Sequence, residues 1–345
     1  MTTPMSQDTF PSNLDPTALL RARDGIYAAD LLIAAIVELD FFNRASHRNW
    51  TIEEIASEFQ IAARPADVLL TLLCAMKLVD KDRESYRIRQ EAEVFLSQNS
   101  RWDLGPYFAS LKLRPQVQQI LHVLRTDQPA AWENTNANPD WATAMTDEAF
   151  ARRFTAAMNG RGEWFGPGLA RALGLAHAAS LLDVGAGSGV YARILREHYP
   201  HVKMAVLEKS PVDRVARSYL ESTDVGRSIT VLSGDMFQDI PKGYDVHLFS
   251  NVLHDWSSSR VRELLARSRQ SLAEGGQIAV HDAFIERNKC GPLDIAEYSV
   301  LLMMLSEGQC YSIGDMEGYL LDAGFRGVDY RPTLCGRGVM IAQAG

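Results

Sequence analysis

The sequence predicts an α/β protein: a mostly parallel sheet flanked by helices, finishing in an antiparallel hairpin and preceded by a mainly helical region. Three observations carry this. From about Ala178, short apolar runs rich in Val, Ile and Leu alternate with helix-period segments. The last two runs, VDYRPT and VMIAQA, are separated only by LCGRG, enough for a hairpin and too little for a parallel crossover. Before Gln98 the pattern is almost wholly helical. With 345 residues, 46% hydrophobic and 23% charged, the chain has ordinary globular composition and length for two domains.

In chain order, residues 1–15 read as a loose polar arm without the basic and apolar regions of a signal peptide. The longest apolar runs, at 31–37 and 300–305, fall far short of the roughly 20 residues that span a bilayer. Four cysteines, Cys74, Cys290, Cys310 and Cys335, form no C-x-x-C pair, as expected of free thiols in a reducing cytoplasm. No membrane partner is expected. Leu31, Leu32, Ala35, Ile36 and Leu39 recur at helix spacing, and Thr51 with Glu54 forms a capping-box signature. A second helix is expected over Ala66–Leu78, then two short strands around a turn at Lys81–Glu84. Helix, helix, hairpin is the order of a winged helix, which raises nucleic-acid binding. Residues 1–110 hold 11 Lys and Arg against 16 Asp and Glu, and the chain carries a net charge of −8. The second helix offers Leu69, Leu70, Leu72 and Leu73 where phosphate and base contacts need cations and polar groups. No nucleic-acid partner is expected, and that helix is expected to pack on an apolar surface such as a second subunit. The chain thus divides into a helical domain over 1–100, a helical connection over 101–175 and the sheet domain over 176–345. The connection is rich in aromatic residues, Trp132 and Trp141 among them.

The site-bearing residues lie at predicted strand ends. LLDVGAGSG runs an apolar strand into Gly185, Gly187 and Gly189, where a tight turn lets a ligand approach the backbone. Nicotinamide and flavin enzymes use a related loop, but here the glycines stand at every second position with Asp183 just before them. A carboxylate there suits a cationic or amino-bearing ligand better than a pyrophosphate. Glu208 ends the next strand, where an acid can accept from both hydroxyls of a ribose. Asp235 ends the third; it can accept from an adenine amino group, with Met236 or Phe237 against the ring. Together these describe an adenosine pocket. After the fourth strand comes NVLHDW, in which His254 is placed to take a proton from a hydroxyl, an amine or an acidified carbon. Asp255 could serve as the cap of the following helix.

These motifs together resemble the small-molecule O-methyltransferases that use S-adenosylmethionine, the caffeate-type family with many bacterial natural-product members. AADLLIAAIVELDFF and the winged-helix pattern resemble its dimerisation region, LLDVGAGSG its cofactor loop, and GDMF and LHDWS its short motifs. The resemblance implies a Rossmann-like methyltransferase sheet, a winged-helix-like dimerisation domain and a homodimer. It implies that the Gly185 loop holds the methionine portion of S-adenosylmethionine, Glu208 the ribose, and Asp235 and Met236 the adenine, and that His254 is the general base. A position that is often Lys in plant members is Ser250 here. Of the two acids that flank the catalytic His in plant members, the first maps to Asp282 and the second to Cys310, which is not acidic; Glu307, three residues away, is a candidate substitute.

No metal is required by this scheme. Some C-methylating relatives hold one through the His-Asp pair plus a distant His, but 294–309 contains no His, and His281 is expected to face away from Asp282. Candidates for the acceptor pocket are Phe154, Met158, Trp164, Asn251, Met303 and Met304, for most of which core packing is the competing reading. The leading reading is transfer of a methyl group to oxygen of a small aromatic metabolite. Transfer to carbon or nitrogen on the same fold, and a non-catalytic or DNA-binding regulator, are the alternatives.

Overall fold

The structure is a computed structural model that describes residues 14–130 and 141–345; the side chains of Trp141 and Ala142 are not described. Trp132 and most of the expected N-terminal arm therefore lie outside the described residues, and of Trp141 only the backbone is described.

Two strands, β1 (Val79–Asp82) and β2 (Ser85–Ile88), form the early hairpin. Before them, Ile52–Phe59 starts on the expected capping box, Thr51 accepting from the Glu54 amide and Glu54 from the Thr51 amide. The next helix runs Ala63–Ala75, beginning and ending three residues earlier than the periodicity suggests. Pro65, Ala66 and Val68 to Cys74 are buried, so its apolar face is not presented to a nucleic acid. What covers it is the helix Leu293–Leu305 of the same chain, not a second subunit. That helix is buried from Ile295 to Met304.

The main sheet holds seven strands: β3 (Ser180–Val184), β4 (Lys203–Glu208), β5 (Thr230–Ser233), β6 (Tyr244–Ser250), β7 (Leu272–Ala283), β8 (Phe325–Pro332) and β9 (Arg337–Ala344). Their order is β5-β4-β3-β6-β7-β9-β8. The first five are parallel, and β9 and β8 close the sheet antiparallel, as the short link requires. Alternation splits the strand residues between two layers. Leu181, Met204, Val206, Leu248 and Val339 pack under the helices Glu148–Leu173 and Val190–His198. Leu182, Ala205, Leu207, Phe249 and Met340 pack under Ser258–Ser271 and Ile313–Asp322.

Two features place the site. The carboxyl ends of β3, β4, β5 and β6 lie side by side on either side of the point where strand order reverses, the place where open α/β sheets bind ligands. The long helix Glu148–Leu173 lies close against Val190–His198: a Cβ on Gly162 would fall 2.4 Å from Val190 Cγ1. Only glycine permits that approach, and it brings Asn159 to the glycine loop, where its side-chain oxygen accepts from Ser188 Oγ.

Met303 and Met304 are fully buried in the N-terminal core, so their expected place in an acceptor pocket is not realised. Met303→Ala is expected to lower the unfolding free energy by about 2–5 kcal/mol in urea denaturation, the usual cost of deleting a buried methionine side chain; a change below about 1 kcal/mol would place it outside the core.

Candidate active site

A cavity of about 540 Å³ opens along the strand ends. Gly185 and Gly187, with φ of +69° and +61°, turn the chain at the end of β3 in a backbone region that other residues avoid. Glu208, ending β4, accepts from the Gly187 amide at 2.7 Å through Oε1 and from the Lys209 amide at 2.9 Å through Oε2. Each carboxylate oxygen keeps acceptor capacity beyond that one bond. Burial nevertheless pushes its pKa up to about 7, the two amides opposing. Asp235, after β5, accepts from the Phe237 amide at 2.9 Å and from Lys209 Nζ at 3.1 Å. Burial raises its pKa, but these two donors outweigh it and the group stays below the usual range. Met236 and Phe237 line the same end. There Phe237 meets Trp256 edge-on, and the Arg260 guanidinium lies 3.8 Å from the Phe237 ring centre.

Asp183 does not line the cavity. It is fully buried near the end of β3. Burial, with the Glu208 charge, pushes its pKa up to about 8. The sequence placed it at the loop mouth; the strand directs its side chain beneath the loop instead.

At the end of β6, Ser250 faces the cavity and pairs with His281 Nδ1 at 2.9 Å. His281 pairs on its other side with Thr333, and burial lowers its pKa to about 3, so it is neutral and directed away from Asp282 as expected. Asn251 takes a left-handed conformation with φ of +54°, its side chain donating to Tyr191 OH at 2.9 Å. Asn is among the few residues that tolerate this region. The reversal delivers the short turn Leu253–Asp255 across the end of β7. His254 Nδ1 meets Asp282 Oδ1 in a short, buried contact, and Asp282 Oδ1 also accepts the Ala283 amide at 2.8 Å. His254 Nε2 faces Tyr298 OH at 3.5 Å and Asp255 Oδ1 at 3.7 Å. Burial lowers the His254 pKa, but Asp282 and Asp255 outweigh it and the imidazole sits above its ordinary value. Asp282, through His254, sits below the usual carboxylate range despite its burial. Asp255 does not cap the next helix, whose first flanking residue is Ser257.

The structure thus brings together Gly185, Gly187, Glu208, Asp235, Met236, Phe237, Ser250, Asn251, His254, Phe154 and Met158 around one cavity, with Asp282 directly behind His254. Trp164 falls elsewhere. At 100° per residue it leaves the face shared by Phe154, Met158 and Arg161, and its indole N–H donates to Cys335. Glu307 lines the cavity but makes no hydrogen bond or ion pair with His254; Cys310 is buried. Sequence reasoning missed Asn159, Arg161, Tyr191, Tyr298 and Arg260. Arg161 had a signal, standing three residues on from Met158 and seven from Phe154, on the helix face those two pocket candidates share.

The arrangement fits an adenosine bearing a positive charge. Glu208 and Asp235 present acceptors at separate strand ends, a thioether and an aromatic ring lie beside the second, and Asp183 is a buried acid whose ionisation a nearby positive charge would favour. An imidazole with one nitrogen pinned stands within the same cavity.

Comparison with known proteins agrees. Residues 117–326 match the family model of the O-methyltransferase domain. The 3-hydroxy-5-methyl-1-naphthoate 3-O-methyltransferase of Streptomyces sahachiroi is 27% identical, the match covering 92% of this chain and 91% of that protein. An O-methyltransferase family 2 protein from Planctomyces limnophilus DSM 3776, solved with apigenin, superposes with a TM-score of 0.86 at 27% identity over 97% of each chain. Human N-acetylserotonin methyltransferase, solved with S-adenosylmethionine, shares the fold with a TM-score of 0.61 at 22% identity over 99% of this chain and 100% of that one. The chain belongs to the O-methyltransferase family and is an S-adenosylmethionine-dependent methyltransferase.

Proposed function

We propose that the protein methylates a hydroxyl group of a small aromatic molecule, with His254 as general base and Asp282 as the group that orients it. The contact that carries this reading is His254 Nδ1 on buried Asp282, which leaves Nε2 for the cavity. A carboxylate can only accept, so it holds the proton on Nδ1 and keeps the Nε2 lone pair available. Phe154, Met158, Leu301, Leu302 and Leu305 line the same cavity as His254, and such walls suit a flat apolar frame. The Streptomyces sahachiroi relative, named for a 3-O-methylation of a hydroxynaphthoate, supports an aromatic acceptor and transfer to oxygen.

In this reading Glu208 takes the ribose hydroxyls, Asp235 the adenine amino group, Met236 and Phe237 the ring faces, and the Gly185–Gly187 turn the methionine portion, with Ser250 offering a hydroxyl at the sulfur end. When bound, S-adenosylmethionine supplies a methyl group on a sulfonium, electrophilic as it stands. For transfer, the cavity walls would hold the acceptor oxygen in line with that carbon at roughly 3–3.5 Å. His254 Nε2 accepts the hydroxyl proton, and Asp282 and Asp255 stabilise the imidazolium that results.

His254→Ala is expected to lower kcat by about 10²–10⁴-fold while S-adenosylhomocysteine affinity, measured by calorimetry, stays within about threefold. Because the base must be neutral and its pKa is raised, kcat should climb with pH through an ionisation above the ordinary imidazole value of 6.5, and the variant should lose that limb. Parallel loss of kcat and cofactor affinity would make His254 structural.

Glu208→Ala is expected to weaken S-adenosylhomocysteine binding by at least about tenfold, as loss of charge-assisted hydrogen bonds predicts. Unchanged affinity would move the ribose elsewhere.

We further propose that the helical region pairs with a second copy of the chain. Trp102, Leu104, Tyr107, Leu111 and Leu113 lie exposed within one short segment, an apolar concentration that a soluble surface rarely leaves uncovered. Sedimentation should give a dimer, and Tyr107→Glu with Leu113→Glu should shift it to monomer; a monomeric wild-type protein overturns the pairing.

A further inference from the structure

The cavity contains a cation that makes no ion pair among the described residues. Arg161 lies in the cavity wall, its Nη1 donating to Tyr298 OH at 2.9 Å. Its Nε is buried and makes no hydrogen bond. Among the described residues no carboxylate is in ion-pair contact with it. Asp24 acts on it from farther off and is engaged by Arg23 and Arg337. Asp255 also feels its charge but is turned to His254. Arg23 lines the cavity as well, so positive charge is not confined to one side chain.

A buried donor without a partner is costly, and a guanidinium offers its N–H groups as a planar fork that matches a carboxylate. Tyr298 fixes where that fork sits. Its hydroxyl accepts from Arg161 and lies 3.5 Å from His254 Nε2, so the guanidinium stands two hydrogen-bond lengths from the base. A ligand that places a hydroxyl on His254 therefore places its neighbouring ring substituent within reach of Arg161.

We propose that Arg161, aimed by Tyr298, receives a carboxylate carried by the methyl acceptor, so that the preferred substrates are hydroxyaryl carboxylates with acid and reacting hydroxyl one or two ring positions apart. The proposal rests on the His254 reading above. The same chemistry has a second source, the amino-acid carboxylate of the cofactor, and the test separates the two.

The unaltered enzyme, saturated with S-adenosylhomocysteine, is titrated with 3-hydroxybenzoate and with its neutral isostere 3-hydroxybenzamide, and methyl transfer to each is followed. The acid should bind, and turn over by kcat/KM, at least about tenfold better than the amide. In Arg161→Met that ratio should fall to about one while S-adenosylhomocysteine affinity stays within about threefold, and Arg161→Lys should restore part of the preference. Equal binding of acid and amide by the unaltered enzyme, or binding of neither at millimolar concentration, overturns the proposal without recourse to any variant. If Arg161→Met instead weakens S-adenosylhomocysteine by about tenfold or more and leaves the ratio unchanged, the guanidinium serves the cofactor's carboxylate and the acceptor assignment falls. Failure of the underlying reading looks different: His254→Ala would then retain full turnover whatever the acid-to-amide ratio.

Discussion

The contact between His254 and Asp282 ties the chemistry to the fold. His254 follows the end of β6 and Asp282 is the next-to-last residue of β7, and the pairing of these neighbouring parallel strands sets Ser250 opposite His281. The left-handed turn at Asn251 then carries the chain over the end of β7, where Asp282 lies waiting. Nothing in this arrangement depends on a long flexible side chain. It depends on strand register, and a one-residue slip would point Asp282 into the opposite layer. The site inherits the rigidity of the sheet's interior, which is what an in-line transfer demands of its positioning groups.

The electrostatics of the cavity follow from placing acids at buried strand ends. Asp183, Glu208 and Asp255 all have pKa values raised chiefly by burial. For Asp183 and Glu208 the folded-state values, about 8 and about 7, exceed those of an unfolded chain. Their contribution to stability is therefore full below the ordinary carboxylate range and is lost as pH rises through 7 to 8. A ligand bearing a sulfonium and an ammonium reverses the sign of the local field and favours the ionised acids. The same burial that disfavours the charged acids would thus favour a cationic nucleoside, and Asp183 would act through the field without touching it.

Much of this was legible in the sequence, and the boundary is physical. The glycine turn, the acids at the ends of β4 and β5, the motif that carries His254 and the terminal hairpin are local features, each written in a few consecutive residues. Asp282 as a partner of His254 came from family resemblance, since only strand register makes the two adjacent. Trp164, Met303 and Met304 were misplaced because composition marks a residue as apolar without saying which apolar space it fills. The helix Leu293–Leu305 is the clearest case. Ten consecutive buried residues, Ile295 to Met304, leave no stripe from which to read its orientation. Tyr298 was invisible for that reason, whereas Arg161 shares an i, i+4 and i+7 spacing with Phe154 and Met158 on an amphipathic helix, a pattern the sequence does carry.

That helix also joins the two halves of the molecule at the reacting centre. Tyr298, Leu301, Leu302 and Leu305, spaced i, i+3, i+4 and i+7, line the cavity. Val300, Met303 and Met304 are enclosed in the N-terminal core, and Glu297 holds Arg21 of the first helix in a two-bonded ion pair at 2.6 and 2.8 Å. The N-terminal helices therefore do more than cover the sheet. They fix the rotation of the one helix whose far face sets Tyr298 against both His254 and Arg161. Tyr298 is thus where the N-terminal core meets both His254 and Arg161, although it belongs to neither the glycine loop nor the strand ends.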